Sequence, residues 1–298
     1  MSIKAHPPHD LHIPVLLDAT LELLKPQKGE SYLDLTAGYG GHAEAFLAKT
    51  EAQTSATLVD RDEYAIGKLS RFADNGVKLL HTDFVSAATE LIEQGKTFDI
   101  VMIDLGVSSP QLDQSERGFS FKNSGPLDMR MDRRQELSAE KLVNTAKADE
   151  LARIIREYGE ESPGQAKRIA QAIVKGRPLK TTGELADLIA HEVRGKWGKI
   201  HPATRTFQAL RIAVNQELQQ VETILPLLPK LLKKGGRVGI ISFHSLEDRL
   251  VKRYFAEQKA AGFEAELRIL TKKPLDGATH DVHNPRARSA KLRAAVKI

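Results

Sequence analysis

Short apolar runs of strand length recur four times in the first hundred or so residues: Ser31–Ala37 (SYLDLTA), Thr54–Asp60 (TSATLVD), Val77–Asp83 (VKLLHTD) and Asp99–Leu105 (DIVMIDL). Each is bounded by turn or charged residues. Helix-length stretches separate them, with apolar positions at helical spacing such as Ile66, Leu69 and Phe72. Strand and helix in alternation predict a doubly wound parallel sheet. The alternation then stops. Residues 106–137 are rich in Gly, Ser, Pro and charge and read as an extended loop, and Ser138–Arg194 reads as helices beginning at Ser138-Ala-Glu-Lys and Thr182-Gly-Glu-Leu. Residues 205–234 form one long amphipathic pattern that stops at Gly235-Gly236. Strand-like sequence returns at Arg237–Phe243, then a helix over about 245–258, then Phe263–Leu270 and Lys291–Ile298. The order predicts an α/β fold, a Rossmann-like sheet domain of residues 1–111 and 205–298 with an all-α domain, residues 112–204, inserted between its fourth and fifth strands.

Composition narrows the chemistry. The 298 residues contain no cysteine, which excludes disulfide scaffolding, thiolate-bound zinc, iron–sulfur clusters and any thiolate nucleophile; no metal site is expected. No apolar run is long enough to span a bilayer and the N-terminus lacks a signal-peptide apolar region, so a cytoplasmic location away from membranes is expected. The net charge of +5 is unevenly spread. Residues 165–215 carry ten basic and three acidic side chains, and 271–298 carry seven and two, so the rest of the chain is acidic on balance. Two basic stretches suggest an anionic partner such as nucleic acid, although solvated helix faces give the same count.

The first strand runs into Asp34-Leu-Thr-Ala-Gly38-Tyr-Gly40-Gly41-His42. Glycines at a strand-to-helix turn let the backbone approach a ligand, and the next strand ends in Asp60, where a carboxylate can accept both ribose hydroxyls. The pattern predicts a nucleoside cofactor. Gly38-x-Gly40-x-x-Ala43 also satisfies a loose dinucleotide fingerprint, but Asp34 would repel a pyrophosphate and attract an ammonium, which favours S-adenosylmethionine (SAM) over a nicotinamide cofactor. Asp34 as a helix cap or loop brace is the plain alternative. Phe84, at the end of the third strand, could stack on adenine or belong to the core.

The fourth strand leads into Asp104-Leu-Gly-Val-Ser108-Ser109-Pro110-Gln111. Enzymes that methylate exocyclic amines place an acid-to-proline loop here, because the amine lone pair is delocalised and acceptors must draw on its protons and aim the nitrogen. Asp104, Ser108, Ser109 and Pro110 are the candidate catalytic loop. No covalent intermediate is needed, which suits a chain without cysteine. The loop has no aromatic after the proline, so a stacking residue must come from Phe119, Phe121 or Phe243. His244, at the end of the fifth strand, could touch substrate or cap the next helix.

Several long blocks, in order over nearly the whole chain, resemble one family: Asp34-Leu-Thr-Ala-Gly-Tyr-Gly-Gly-His, Asp104-Leu-Gly-Val-Ser-Ser-Pro-Gln-Leu-Asp, Arg117-Gly-Phe-Ser-Phe, Pro126-Leu-Asp-Met-Arg-Met-Asp, His201-Pro-Ala-Thr-Arg-Thr-Phe, Ile241-Ser-Phe-His-Ser-Leu-Glu-Asp-Arg and Asn284-Pro-Arg-Ala-Arg. The family is MraW, also called RsmH. The resemblance implies a SAM-dependent methyltransferase acting on the 4-amino group of a cytidine in the decoding region of 16S rRNA in the bacterial small subunit. It implies SAM contacts from Gly40, Gly41, His42, Asp60, Phe84, Asp104 and Gln111, beside Asp34 and Gly38 of the glycine loop. The chain departs from the family at Ala19 and Ser124, where acids are expected, and has extra residues around Ser162-Pro-Gly164, expected to lengthen a helix-to-helix loop.

A cytosine amine is reachable only when the base leaves its stack, so the RNA backbone must be gripped. Lys175, Arg177, Lys196, Lys199 and Arg205 in the first basic stretch, and Arg286 and Arg288 in the second, are the expected grip. The rival classes are a nicotinamide oxidoreductase, for which no hydride-handling site is visible, and a non-catalytic RNA-binding factor. A homodimer is left open.

Overall fold

The computed structural model describes residues 14–193 and 201–298. The predicted alternation is present in the first unit, residues 1–106 and 221–298. After α1 (Leu17–Leu24) come β1 (Tyr32–Asp34), α2 (Gly41–Thr50), β2 (Ala56–Asp60), α3 (Glu63–Ala73), β3 (Lys78–His81), α4 (Phe84–Glu93) and β4 (Phe98–Asp104). Local chemistry sets the helix starts. Asp62 caps α3 by accepting from the Tyr64 N–H, and Asp83 caps α4 by accepting from the Val85 and Ser86 N–H groups.

The helical unit, residues 107–220, holds α5 (Ser109–Asp113), α6 (Ala139–Thr145), α7 (Ala148–Gly159), α8 (Pro163–Lys175), α9 (Thr182–Glu192) and α10 (Ala203–Asn215). Ser138, Ser162 and Thr181 cap α6, α8 and α9 through side chains that accept from the N–H three residues on. The residues around Ser162 therefore start a helix instead of lengthening a loop: Ser162 is the cap and Pro163, whose missing N–H costs nothing there, is the first helical residue. Leu151, Ile155, Ile169, Ile173, Leu185 and Leu210 form its buried core.

The unit boundary differs from the expected one. Residues 205–234 are not one helix, and α10 belongs with the helical unit. The buried Asn215 amide at the end of α10 accepts from the Met131 N–H and donates to the Met129 carbonyl, tying the helix to the long loop before α6. Gln216 then turns left-handed (φ 51°), and α11 (Glu217–Ile224), a 3-10 turn and α12 (Leu228–Leu231) follow. Pro226 and Pro229, which cannot donate to a preceding turn, fragment the pattern.

β5 (Leu232–Ser242) starts before the Gly235-Gly236 pair, not after it. Its register against β4 jumps between Phe98↔Leu232 and Ile100↔Arg237, so the glycines form a bulge inside the strand. After α13 (Ser245–Ala260) come β6 (Leu267–Ile269), β7 (Leu275–Asp276), α14 (Gly277–His280) and β8 (Lys291–Lys297). β6 is shorter than the run Phe263–Leu270 implied: residues 262–264 form a 3-10 turn with Phe263 exposed.

The strand order is β3-β2-β1-β4-β5-β8-β6, with β7 also paired to β8. The first five strands are parallel, and β8 is antiparallel to β5 and β6. One face of the sheet buries Leu33, Val101, Leu228 and Val251, and the other buries Tyr32, Phe46, Met102 and Ala294. Strand order reverses between β1 and β4, so the crevice at the carboxyl ends of these strands is where such a sheet takes a ligand. Among the described residues no helix is long and apolar enough to cross a membrane.

Candidate active site

Three carboxylates converge on that crevice: Asp34 at the end of β1, Asp60 at the end of β2 and Asp104 at the end of β4. Asp34 is buried and braced by its own strand. It accepts from the Tyr32 hydroxyl at 2.8 Å and the Thr36 N–H at 3.1 Å, while the Tyr32 ring is stacked on Phe46 of α2 at 4.8 Å. Burial pushes the Asp34 carboxyl up to about 7, with the Asp60 charge adding to it against the two hydrogen bonds. Asp34 thus has the bracing role that was its plain alternative.

The glycine loop wraps Asp60. The Gly38 and Asp62 N–H groups each donate to it at 2.8 Å, and burial still raises it to about 6. Gly38 (φ 54°) and Gly40 (φ 85°) are left-handed, and a Cβ on Gly40 would lie 2.4 Å from the Phe72 ring. The turn therefore requires glycine and delivers the chain directly into α2, whose first turn carries the buried His42.

His42 Nε2 lies 3.7 Å from Asp104 Oδ2. The Asp104 N–H donates to the Thr36 hydroxyl at 2.6 Å, which locks the end of β4 to the β1 loop. Asp104 Oδ1 is buried and has no hydrogen-bond partner among the described residues. Burial, and then the charges of Asp34 and Glu247, hold this carboxyl well above the usual carboxylate range. A buried acceptor without a donor is costly, and its presence marks a place for a donor that the described residues do not provide.

Three acids whose charged forms are disfavoured make a crevice that gains from a cationic ligand. The residues fit SAM, with its sulfonium and ammonium groups, better than a pyrophosphate cofactor. A pH dependence follows. Asp34 and Asp60 bind protons in the folded chain at pH values where the unfolded chain has released them, so without ligand these groups lower stability as pH rises from near 4 to about 7. A cation favours their ionised forms, so SAM binding releases protons. The SAM dissociation constant is expected to fall from pH 5.5 to 8 and then level, as measured by calorimetry in buffers of different ionisation heat. An affinity flat across that range would contradict it.

Phe84 opens α4 at the end of β3 and is half-buried against the sheet core. Ser108 to Gln111, expected as an open loop, instead begin α5. Gln111 is buried, and its Oε1 accepts from the Ser108 N–H at 3.0 Å, the return arm of a capping box, with Pro110 in the first turn. The Ser-x-x-Gln spacing carried that signal.

His244 is the N-cap of α13. Its Nδ1 accepts from the Glu247 N–H, its Nε2 lies 3.1 Å from Glu247 Oε1, and the buried Glu247 returns to accept from the Phe243 and His244 N–H groups. Of its two readings the structure has the cap.

The basic candidates separate. Arg177 is committed within the helical unit: Nε and Nη2 donate to the Val143 and Ala146 carbonyls at the end of α6, so it braces a helix terminus and is withdrawn as an RNA contact. Lys175 is exposed in the last turn of α8, Arg205 is exposed with Glu161 at 3.7 Å, and Arg286 and Arg288 are exposed before β8. Lys196 and Lys199 lie outside the described residues. Thr36, Tyr32 and Glu247 are supporting residues that sequence reasoning missed; only Glu247 had a signal, the His-x-x-Glu spacing of a cap.

Comparison with known proteins adds to this geometry. The family model for the MraW methylase family matches residues 9–298. A protein of Heliobacterium modesticaldum named ribosomal RNA small subunit methyltransferase H is 48% identical over 313 residues, covering 96% of this chain and 98% of that one. One of the same name from Synechocystis sp. is 48% identical over 294 residues, covering 96% and 93%.

Proposed function

The chain belongs to the MraW methylase family and is a SAM-dependent methyltransferase, and from that premise we propose that it methylates the 4-amino group of a cytidine in small-subunit ribosomal RNA, in the cytoplasm. The observation that carries the choice of atom is Asp104, a half-buried carboxylate at the switch point of the sheet whose buried Oδ1 has no hydrogen-bond partner among the described residues. An exocyclic amine is a donor of the kind that oxygen lacks.

SAM, when bound, supplies an electrophilic methyl group on a sulfonium. Gly38 and Gly40 give the backbone the close approach that a nucleoside cofactor needs, and Asp60 offers an acceptor to its ribose. The amine of cytosine is a poor nucleophile because its lone pair is delocalised into the ring. Asp104 Oδ1, accepting one amine N–H, holds the nitrogen in line and draws density toward it. With SAM bound, the methyl–sulfur bond would break as the nitrogen–carbon bond forms, leaving S-adenosylhomocysteine, and Oδ1 would take the amine proton and pass it to solvent. Burial raises the affinity of Asp104 for a proton, so in its ionised form it is a stronger acceptor than an exposed carboxylate. With no cysteine in the chain, the covalent route to ring carbons is closed.

The substrate class is tested by incubating the protein with labelled SAM and small or large ribosomal subunits that lack the modification. Label is expected in small-subunit RNA. Label only in the large subunit, or in protein, would overturn the proposal.

A further inference from the structure

The amine loop needs an aromatic partner for the base, and the three phenylalanines are not equivalent. Phe119 is buried in the helical core, and Phe121 packs on Phe207 and His201 at 4.7 and 4.8 Å. Phe243 is different. Asp104 is paired with Ile241 across β4 and β5, so the chain leaves β5 through Phe243 beside the end of β4. Gly106, two residues beyond Asp104, has φ 104°, and a Cβ there would lie 3.1 Å from the Phe243 ring. The ring lies over a backbone that has no side chain to hold it away.

Phe243 also lines a pocket of about 290 Å³ with His244, Asp276, Arg288, Ser289 and Lys291. That volume is at the small end for ligand sites, the scale of one nucleotide and not of a strand. Its charge is cationic on balance. Arg288 is exposed and forms no ion pair among the described residues. Lys291 lies 3.2 Å from Asp248, but Asp248 is shared with Arg293 at 2.7 Å, so one carboxylate answers two cations. Asp276 is turned to its own helix, where it accepts from the Thr279 N–H and hydroxyl. A phosphate alone would have no use for the ring, and a free base none for the cations.

We propose that this pocket holds the target nucleotide, with the cytosine stacked on Phe243 and its phosphate held by Arg288 and Lys291. The proposal rests on the reading of the chain as an RNA amine methyltransferase. It makes Phe243 the substrate-binding ring that the Asp104 loop does not itself supply.

The test compares Phe243→Leu, Phe243→Tyr and Arg288→Ala with the unaltered enzyme, using unmethylated small subunits. Loss of base stacking is expected to lower kcat/KM roughly 10- to 100-fold in Phe243→Leu, with SAM binding without RNA unchanged. Phe243→Tyr keeps the ring and is expected to keep most of the activity, a rescue that a purely packing role would not require. Arg288→Ala is expected to raise KM and flatten its salt dependence. Cytidine 5′-monophosphate titrated into the protein with S-adenosylhomocysteine present, followed by NMR, should bind the unaltered chain and lose affinity in both Phe243→Leu and Arg288→Ala. Equal activity and nucleotide binding in Phe243→Leu, or equal loss in Phe243→Tyr, would overturn the proposal. An unaltered enzyme that binds the nucleotide through these residues but transfers no methyl to small subunits would overturn the activity reading instead.

Discussion

Replacing Asp104 with asparagine is expected to lower the rate of methyl transfer by a factor on the order of 10² to 10⁴, the range for loss of a positioned proton acceptor. The fold should survive. The Asp104 backbone N–H keeps its bond to Thr36, and removing a buried charge that Asp34 and Glu247 disfavour costs nothing electrostatically. Thermal stability is therefore expected to stay level or rise while single-turnover rate collapses, and that pairing separates a chemical role from a structural one. SAM affinity should change far less than rate, since Asp34 and Asp60 are left in place. A variant with near-normal turnover would remove Asp104 from the chemistry.

The second large effect is expected at Gly40. An alanine there must adopt a left-handed φ near 85°, with its Cβ 2.4 Å from Phe72 Cε2 and 3.1 Å from Leu69 Cδ2. Backbone strain and displacement of the ring together cost about 2–4 kcal/mol. In a chain of this size that corresponds to a fall in Tm of roughly 3–6 °C. Movement of the loop should also weaken SAM binding by more than about tenfold, since 1.4 kcal/mol of lost contact suffices for that. Gly67, inside α3 with no heavy atom within 4 Å of its would-be Cβ, is the control. Gly67→Ala should stabilise the protein by about 0.5–1 kcal/mol and leave SAM affinity alone. Equal behaviour of the two variants would mean that the turn geometry at Gly40 is not what shapes the loop.

The strand ends that build the crevice could be read from the chain because each couples a short apolar run to a terminal acid: Asp34, Asp60 and Asp104 all sit where the runs placed them. Periodicity served less well where proline, a tertiary hydrogen bond or a bulge intervened. Residues 205–234 look amphipathic throughout, yet the Asn215 tie to residues 129–131 holds α10 in the helical unit, and two prolines break the part that follows the boundary. A bulge likewise puts the Gly235-Gly236 pair inside β5. Charge counting could not tell Arg177, spent on the carbonyls of α6, from Arg288 at the rim of a pocket, because composition carries no information on what a guanidinium faces. Caps were legible but ambiguous. His244 and Ser108 both carry helix-start spacings that also suit substrate contacts, and geometry alone shows which bonds they form.

The proposed role of Asp104 is to receive the amine of a cytosine at a buried oxygen that has no hydrogen-bond partner among the described residues. It is tested most directly by the chemical identity of the product. Small subunits lacking the modification are incubated with the enzyme and methyl-deuterated SAM, and the RNA is digested to nucleosides for mass spectrometry. Deuterated 4-methylcytidine, absent when the Asp104→Asn variant is used, is the expected result. Deuterium in 5-methylcytidine or in a ribose-methylated nucleoside would contradict the account.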